Sequence, residues 1–266
     1  LNVLDQITPL IITYNEAPNI GRTLDRLRWA SRVVVIDSGS TDGTVKMLER
    51  YPQVDVIDHP FTDFASQCNF GLSQVLTPWV LSLDADYELS EALVDELASL
   101  RPGDGIAGYR TRFVYRIGGR ALRGSLYPPR TVLYRKSGAS YRQEGHGHRV
   151  SVGGQVLPLR EVIYHDDRKP LSRWVESQRR YARVEAEYLW SRSPQALTRI
   201  DRVRRMGWPA PLAIVFYALV IKGCMLSGRA GWYYALQRLI AEALIALEIN
   251  DRRLRNCSTG LADDRR

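Results

Sequence analysis

Four short apolar runs, each ending in polar or acidic residues, constrain the fold of this chain more than any other feature. Thr8-Pro9-Leu10-Ile11-Ile12-Thr13 reads as a buried strand and leads into the polar loop Tyr14-Asn15-Glu16-Ala17-Pro18-Asn19. Ile20, Leu24 and Leu27 then recur at helical spacing as far as Ala30. Val33-Val34-Val35-Ile36-Asp37 is a second, β-branched strand. The turn Ser38-Gly39-Ser40-Thr41-Asp42-Gly43 offers Thr41 or Asp42 as the N-cap of a helix from Thr44 to Tyr51. Val54 to Ile57 is a third strand, Phe64 to Leu76 a helix, and Trp79 to Asp84 a fourth strand. Strands alternating with helices in this way predict an α/β fold with a doubly wound, mainly parallel sheet. Ligands of such sheets bind beyond the carboxyl ends of the strands. Thr13, Asn15, Glu16, Asp37, Asp84 and Asp86 all fall there.

The rest of the chain is patterned differently. From Gly103 to Ile163, short alternating runs (109–115, 131–134, 156–159) predict a smaller mixed sheet. Leu171 to Trp190 reads as a helix, and its stripe of Trp174, Tyr181 and Tyr188 as packing. Leu212 to Ile221 is an apolar run of ten, short of the roughly 20 residues that span a bilayer. Trp232 to Leu247 is a further helix, with Gln237, Arg238 and Glu242 as its polar positions. These two helices suit either packing, including a homo-oligomer contact, or a bilayer interface. Nearby Arg199, Arg202, Arg204 and Arg205, with flanking Trp208, Trp232, Tyr233 and Tyr234, favour the membrane. The charged tail from Asn250 is expected to fray.

With 45% hydrophobic and 25% charged residues among 266, the chain is globular in composition. Residues 1–100 carry 6 basic and 15 acidic side chains, while residues 101–266 carry 31 and 14. The basic half points to phosphates or an anionic membrane surface. No nucleic-acid-binding motif accompanies it, so nucleic acid is not an expected partner. Cys68, Cys224 and Cys257 are scattered and odd in number, which argues against disulfides or a zinc knuckle and for a reducing, cytoplasmic setting. Leu1 to Ile7 lack the pattern of a signal peptide, and the start without Met suggests that something upstream is missing.

Asp84-Ala85-Asp86 places two carboxylates two residues apart at a strand end, a hard-oxygen set suited to Mg²⁺ or Mn²⁺. Asp37 ends a buried strand, where a carboxylate can accept hydrogen bonds from a base or ribose. The glycines that follow match neither a P-loop nor GxGxxG, which argues against an ATPase or a dehydrogenase.

Taken in order, Ile12-Thr13-Tyr14-Asn15-Glu16, then Val35 to Thr44 through Asp37-Ser38-Gly39-Ser40-Thr41-Asp42-Gly43, then Leu83-Asp84-Ala85-Asp86 resemble the three signature segments of family 2 inverting glycosyltransferases. Within that family the chain is most similar to the bacterial branch that includes lipopolysaccharide-core glucosyltransferases, over about residues 5–190. The resemblance implies a GT-A fold, Rossmann-like, and a nucleotide-sugar donor, commonly a UDP-sugar. It implies that Thr13, Asn15, Glu16 and Asp37 hold the nucleoside, with Gln67 and Asn69 facing the nucleotide. It also implies that Asp84 contacts ribose or metal, that Asp86 ligates the metal, and that His165 reaches the metal from the C-terminal part. Arg168 and Lys169 could clamp the diphosphate.

Inverting transfer to a hydroxyl needs a base opposite the nucleotide. The Glu-Asp pair that many members use is absent from the expected stretch, which holds Gln143-Glu144-Gly145-His146-Gly147-His148 instead. Glu144 is the expected base, with His146 as the alternative. Asp166 or Asp167 reads as a helix cap. The domains expected are residues 1–195, with a nucleotide-binding half (5–100) and an acceptor half (101–195), and a helical region (196–266) that associates with membrane or dimerises. The acceptor expected is a lipid-linked or lipopolysaccharide-type glycan at the cytoplasmic face of the inner membrane. The alternatives are transfer to a polyprenyl phosphate and a non-catalytic scaffold that binds nucleotide-sugar or membrane.

Overall fold

The computed structural model describes residues 3–144 and 147–263. The chain forms two compact units, Leu1–Ala121 with Tyr127–Lys169, and Leu122–Leu126 with Pro170–Arg266. In the first, β1 (Ile7–Thr13), α1 (Ile20–Asp25), β2 (Val33–Asp37), α2 (Thr44–Leu48), β3 (Val54–Asp58), α3 (Phe64–Gln74) and β4 (Trp79–Asp84) follow the predicted alternation. The strands run parallel in the order β3-β2-β1-β4. All five residues of β2 are buried, as a Val-Val-Val-Ile strand covered on both faces should be. Register pairs Thr13 with Asp37, Asp37 with Asp58, and Ile12 with Asp84, so the polar strand ends share one edge.

Local choices fix the connections. The N-cap of α2 is Gly43 (φ 89°), in place of the expected Thr41 or Asp42. Asp42 instead braces the turn, its Oδ1 accepting from the Thr44 amide at 3.2 Å. The side chain of Asp63 caps α3 by accepting from the Ser66 amide at 2.8 Å. α3 can lie close on the sheet because Gly71 has no Cβ; one added there would fall 2.7 Å from Leu10 Cδ1 and 3.2 Å from Ile36 Cγ1.

The sheet does not stop at β4. It continues through β5 (Tyr87–Leu89), β6 (Ile106–Ile117), β8 (Arg130–Arg135) and β11 (Gln155–His165) in the spatial order β4-β8-β6-β11-β5, with α4 (Glu91–Ser99) between β5 and β6 in sequence. β6, β8 and β11 thus extend the first sheet, where a smaller mixed sheet was expected. β8 pairs antiparallel with β4, Leu133 opposite Leu81, and its centre, Val132 to Tyr134, is buried. Alternation in the sequence marks a strand but not the edge it joins. The two-residue β7 (Arg120–Ala121) pairs with β6, and β9 (Ser140–Glu144) and β10 (Gly147–Ser151) form a ribbon of their own.

In the second unit, α5 (Leu171–Ser191), α6 (Arg199–Met206), α7 (Pro209–Phe216) and α8 (Gly228–Asp263) pack as a helical group. Ala182, Ala186 and Leu189 of α5 meet Leu197 and Ile245 and Ile249 of α8. The unit therefore takes in α5, upstream of residue 196. Arg204 is held between Glu185 (2.6 Å) and Glu242 (3.0 Å). Residues 122–126 join this unit through the Leu126 amide on Tyr234 Oη at 2.9 Å. α8 continues past Asn250 to Asp263, so the expected fraying at Asn250 is not observed. Just past Asn250, Arg255 pairs with Asp251 at i,i+4.

Gly71→Val is expected to lower stability by about 1–3 kcal/mol through overpacking against Leu10 and Ile36. An unchanged midpoint in urea denaturation would show that α3 does not lie this close to the sheet.

Candidate active site

The carboxyl edge of the sheet is shaped by loops that hydrogen-bond to one another. Asp37, buried at the end of β2, accepts from the amides of Gly39 (3.0 Å) and Ser40 (2.8 Å), and from the Ser40 hydroxyl (2.5 Å). Asn15 sits in the left-handed region (φ 56°), which Asn tolerates better than most residues. Its amide donates to Ser40 Oγ at 2.7 Å and its Oδ1 accepts from the Thr41 amide at 2.6 Å. The Glu16 amide donates to Thr44 Oγ1 at 2.7 Å. The loops after β1 and β2 are therefore laced together by the conformations that Asn15 and Asp37 impose. Thr13 Oγ1, beside them, is buried without a partner.

Gln67 and Asn69 extend this frame from α3. Gln67 Nε2 donates to Ser38 Oγ and to the His59 carbonyl, both at 3.0 Å, and its Oε1 meets His59 Nδ1 at 2.8 Å. The His59 ring in turn stacks on Phe70 at 3.8 Å. Asn69 pairs with the backbone of Tyr141, accepting its N–H at 2.8 Å and donating to its carbonyl at 3.0 Å. That pair ties the β9–β10 ribbon to α3. Glu144 ends β9 opposite Gly147; its side chain, and His146 altogether, lie outside the described residues.

Asp84 ends β4 and accepts no hydrogen bond from the described residues. Two residues on, strand pairing decides where Asp86 goes. Tyr87 pairs with His165 across β5 and β11, and Tyr115 of β6 pairs with His165 from the other side. The Asp166 amide continues the ladder onto the Asp86 carbonyl at 3.3 Å. His165 is thus held among the rings of Tyr87, Tyr115 and Tyr127, with centroids 5.2, 4.6 and 4.9 Å away. Its Nε2 faces Asp86 Oδ2 at 3.2 Å, while its buried Nδ1 has no partner. Burial resists charge on Asp86, but His165 and then Lys169 hold its carboxyl down at about 2. Burial likewise works against a His165 cation, and Asp86 outweighs it and raises the imidazole above its ordinary value.

A second polar network stands beside this pair. Asn19, buried at 1% exposure, donates to Glu16 Oε2 (2.8 Å) and Asp167 Oδ1 (2.9 Å), and accepts from Arg22 (2.8 Å) and the Arg168 amide (2.9 Å). Asp166 is fully buried and takes Arg168 Nη2 at 2.8 Å and Arg22 Nη1 at 3.3 Å. Arg22 also pairs with Glu88. Lys169 reaches Glu16 at 2.5 Å and Asp167 at 3.5 Å. Burial lifts the Glu16 carboxyl to about 7 against the pull of Lys169. Burial opposes the charge of Lys169, but Glu16, Asp86 and Asp167 more than offset it and raise the ammonium.

Several sequence expectations change as a result. Asp166 and Asp167 do not cap α5, whose N-cap is Pro170 without a side-chain bond. They anchor the segment before that helix to Asn19 and Arg22, which sequence reasoning passed over. Arg168 spends its guanidinium on Asp166, with its side chain still 45% exposed. Asn19 and Arg22, three apart on α1, face the same way, yet nothing in the sequence pairs them with a segment almost 150 residues later. Among the described residues, no three His, Cys, Asp or Glu side chains converge on one point.

Residues 9–163 match the family described as glycosyl transferase family 2. The chain is 34% identical over 118 residues to the lipopolysaccharide core biosynthesis glycosyltransferase LpsC of Rhizobium meliloti, a match covering 42% of this chain and 44% of that protein. It therefore spans less than half of that relative. An uncharacterized glycosyltransferase of Rickettsia felis is 28% identical over 204 residues, 70% of this chain and 71% of the other. Among solved structures, a mannosyltransferase from Pyrobaculum calidifontis in complex with GDP-Man and Mn²⁺ shares the fold. Its TM-score is 0.51 at 16% identity, covering 91% of this chain and 87% of that one.

Asn19→Ala is expected to destabilise the protein by about 1–3 kcal/mol, since its four polar partners lose their shared amide. Guanidinium unfolding measures this; a change below about 0.5 kcal/mol would mean that water replaces the amide without loss.

Proposed function

This chain belongs to glycosyl transferase family 2, and we propose that it moves a sugar from a UDP-sugar to a hydroxyl of a lipid-linked or lipopolysaccharide-type glycan, inverting the anomeric centre. The observation that carries the reading is the contact of Asp86 with His165, two residues beyond Asp84 at the carboxyl edge of the sheet. Asp86 and His165 face each other at 3.2 Å, and the other imidazole nitrogen is buried with no partner among the described residues. These are oxygen and nitrogen donors of the kind that hold Mg²⁺ or Mn²⁺. A small divalent ion shared with a diphosphate needs only one or two carboxylates from the protein, and the donor set fits that use. Bound there, the ion would supply positive charge against the negative charge that develops on the departing nucleoside diphosphate.

The chain's own groups divide the remaining work. Thr13, with its free hydroxyl, and the Asn15-Glu16 loop hold the nucleoside. Asp37, Gln67 and Asn69 keep the loops around it in shape, because their polar atoms are already engaged. The exposed part of Arg168 meets the diphosphate by charge-assisted hydrogen bonds. Glu144, at the end of a ribbon tied to α3, takes the proton of the attacking hydroxyl, with His146 as the alternative base. The lipopolysaccharide-core relative supports the acceptor class. Such an acceptor sits in a bilayer, which places the enzyme as a peripheral protein on the cytoplasmic face.

Asp86→Ala is expected to lower metal-dependent turnover by roughly 100-fold or more with an unchanged circular dichroism spectrum. Full turnover of the variant in Mn²⁺ would refute the metal assignment. Glu144→Gln is expected to lower kcat by about 10²–10⁴-fold on a hydroxyl acceptor. An unchanged rate with that variant points to His146, or to a polyprenyl phosphate, an anionic acceptor that needs no strong base. Slow release of free nucleoside diphosphate from the donor alone separates an enzyme from a scaffold.

A further inference from the structure

We propose that α7, the turn that follows it and the first half of α8 form a wedge that seats in the interface of an anionic bilayer. The inference deepens the reading of a bilayer-borne acceptor and rests on it for its setting. Its evidence is the surface of the second unit.

No charged residue stands between Arg205 and Lys222, and no acidic one between Asp201 and Glu242. On α7 and the π-helical turn Tyr217–Ile221, Leu212 (67% exposed), Phe216 (61%) and Val220 form an i,i+4 stripe open to solvent. The opposite side carries Ala218 and Leu219, which pack with Ala235 of α8. α8 repeats the pattern: Ala230, Tyr234 and Ala235 are buried, while Trp232, Leu236 and Ile240 are exposed at i,i+4 spacing. Met225 and Leu226 extend the apolar surface across the connecting turn. Each helix thus packs one apolar face internally and leaves a second apolar face bare. Contiguous patches of this kind mark an interaction surface.

The rim tells which surface it fits. Trp208 (72% exposed), Tyr217, Trp232 and Tyr233 edge the patch, as amphipathic rings do at headgroup level. Arg202, Arg205, Lys222 and Arg229 flank the patch in sequence without a carboxylate from the same stretch, while Arg204 is already neutralised by Glu185 and Glu242. A second copy docking through this patch would be isologous and would set these cations against themselves. Anionic headgroups complement them instead. Among the described residues no single helix is long and apolar enough to cross a membrane. Pro209–Ile221 and Cys224–Asn256 reach the length and apolarity of a span only together, as a pair bent by 67° at their break, and it is the bare stripe on each that suits the interface.

The test is flotation of the full chain with vesicles of phosphatidylethanolamine and phosphatidylglycerol, against phosphatidylcholine alone. The chain is expected to float with the anionic vesicles about tenfold more strongly than with neutral ones, and less in high salt. Leu212→Gln with Phe216→Gln, and separately Lys222→Glu with Arg229→Glu, are each expected to weaken flotation about tenfold. Leu212, Phe216 and Arg229 are exposed and Lys222 is half-buried over the Tyr217 ring, and the unchanged thermal unfolding of each variant guards against misfolding. The chain staying with the soluble fraction, or the variants floating as the parent does, overturns the proposal. So does a dimer in solution that the Gln variant dissolves. The rise in melting temperature given by UDP with Mn²⁺ is read in parallel. Flotation without that rise keeps the wedge and fails the transfer reading, and the rise without flotation fails the wedge alone.

Discussion

Carboxylates cannot be gathered into a buried edge unless cations come with them, because each uncompensated charge loses its hydration. Glu16, Asp86, Glu88, Asp166 and Asp167 are brought together in this protein, and Arg22, Arg116, Arg168, Lys169 and His165 meet them. The rest of the site depends on that balance. Asn19 distributes it, with one amide bridging two carboxylates, a guanidinium and a backbone N–H. Because the cluster joins the first loop of the sheet to the segment after its last strand, the two ends of the unit are fixed to one another at the edge where ligands bind.

The same balance alters the meaning of the chain's uneven charge. The first hundred residues are strongly acidic and the remainder strongly basic. Part of that basic excess is internal compensation: Lys169 answers Glu16, and Arg116 answers Glu88 at 3.6 Å. In the helical unit, Arg205, Lys222 and Arg229 lie instead in a stretch with bare apolar stripes. Two uses of positive charge are therefore mixed in one number. Only the contacts separate the arginines that neutralise the sheet edge from those that face outward.

Asp86 and His165 show how topology makes a pair that no motif contains. β5 and β11 are distant in sequence, and antiparallel pairing sets Tyr87 opposite His165. Asp86 lies in the turn just before β5, with its carboxylate 3.2 Å from the imidazole, and the tyrosine rings on either side flank the histidine.

The sequence by itself determined the first four strands, the helices between them and the sharing of Thr13, Asp37 and Asp84 along one edge. Strand hydrophobicity is local, and a buried parallel strand can end only where polar residues begin. It also marked Asp86 and His165 individually, and the apolar helices of the second unit. Only the tertiary structure decided that β6, β8 and β11 extend the same sheet while β9 and β10 form a ribbon of their own, since alternation carries no information about which edge a strand joins. Only the structure revealed that Asn15, Asp37, Gln67 and Asn69 lace loops together, that Asp166 and Asp167 anchor instead of capping, and that Asn19 and Arg22 matter at all. The physical reason is common to all of these: a side chain's polar character can be read from its identity, but its partner is set by the chain that folding brings alongside it.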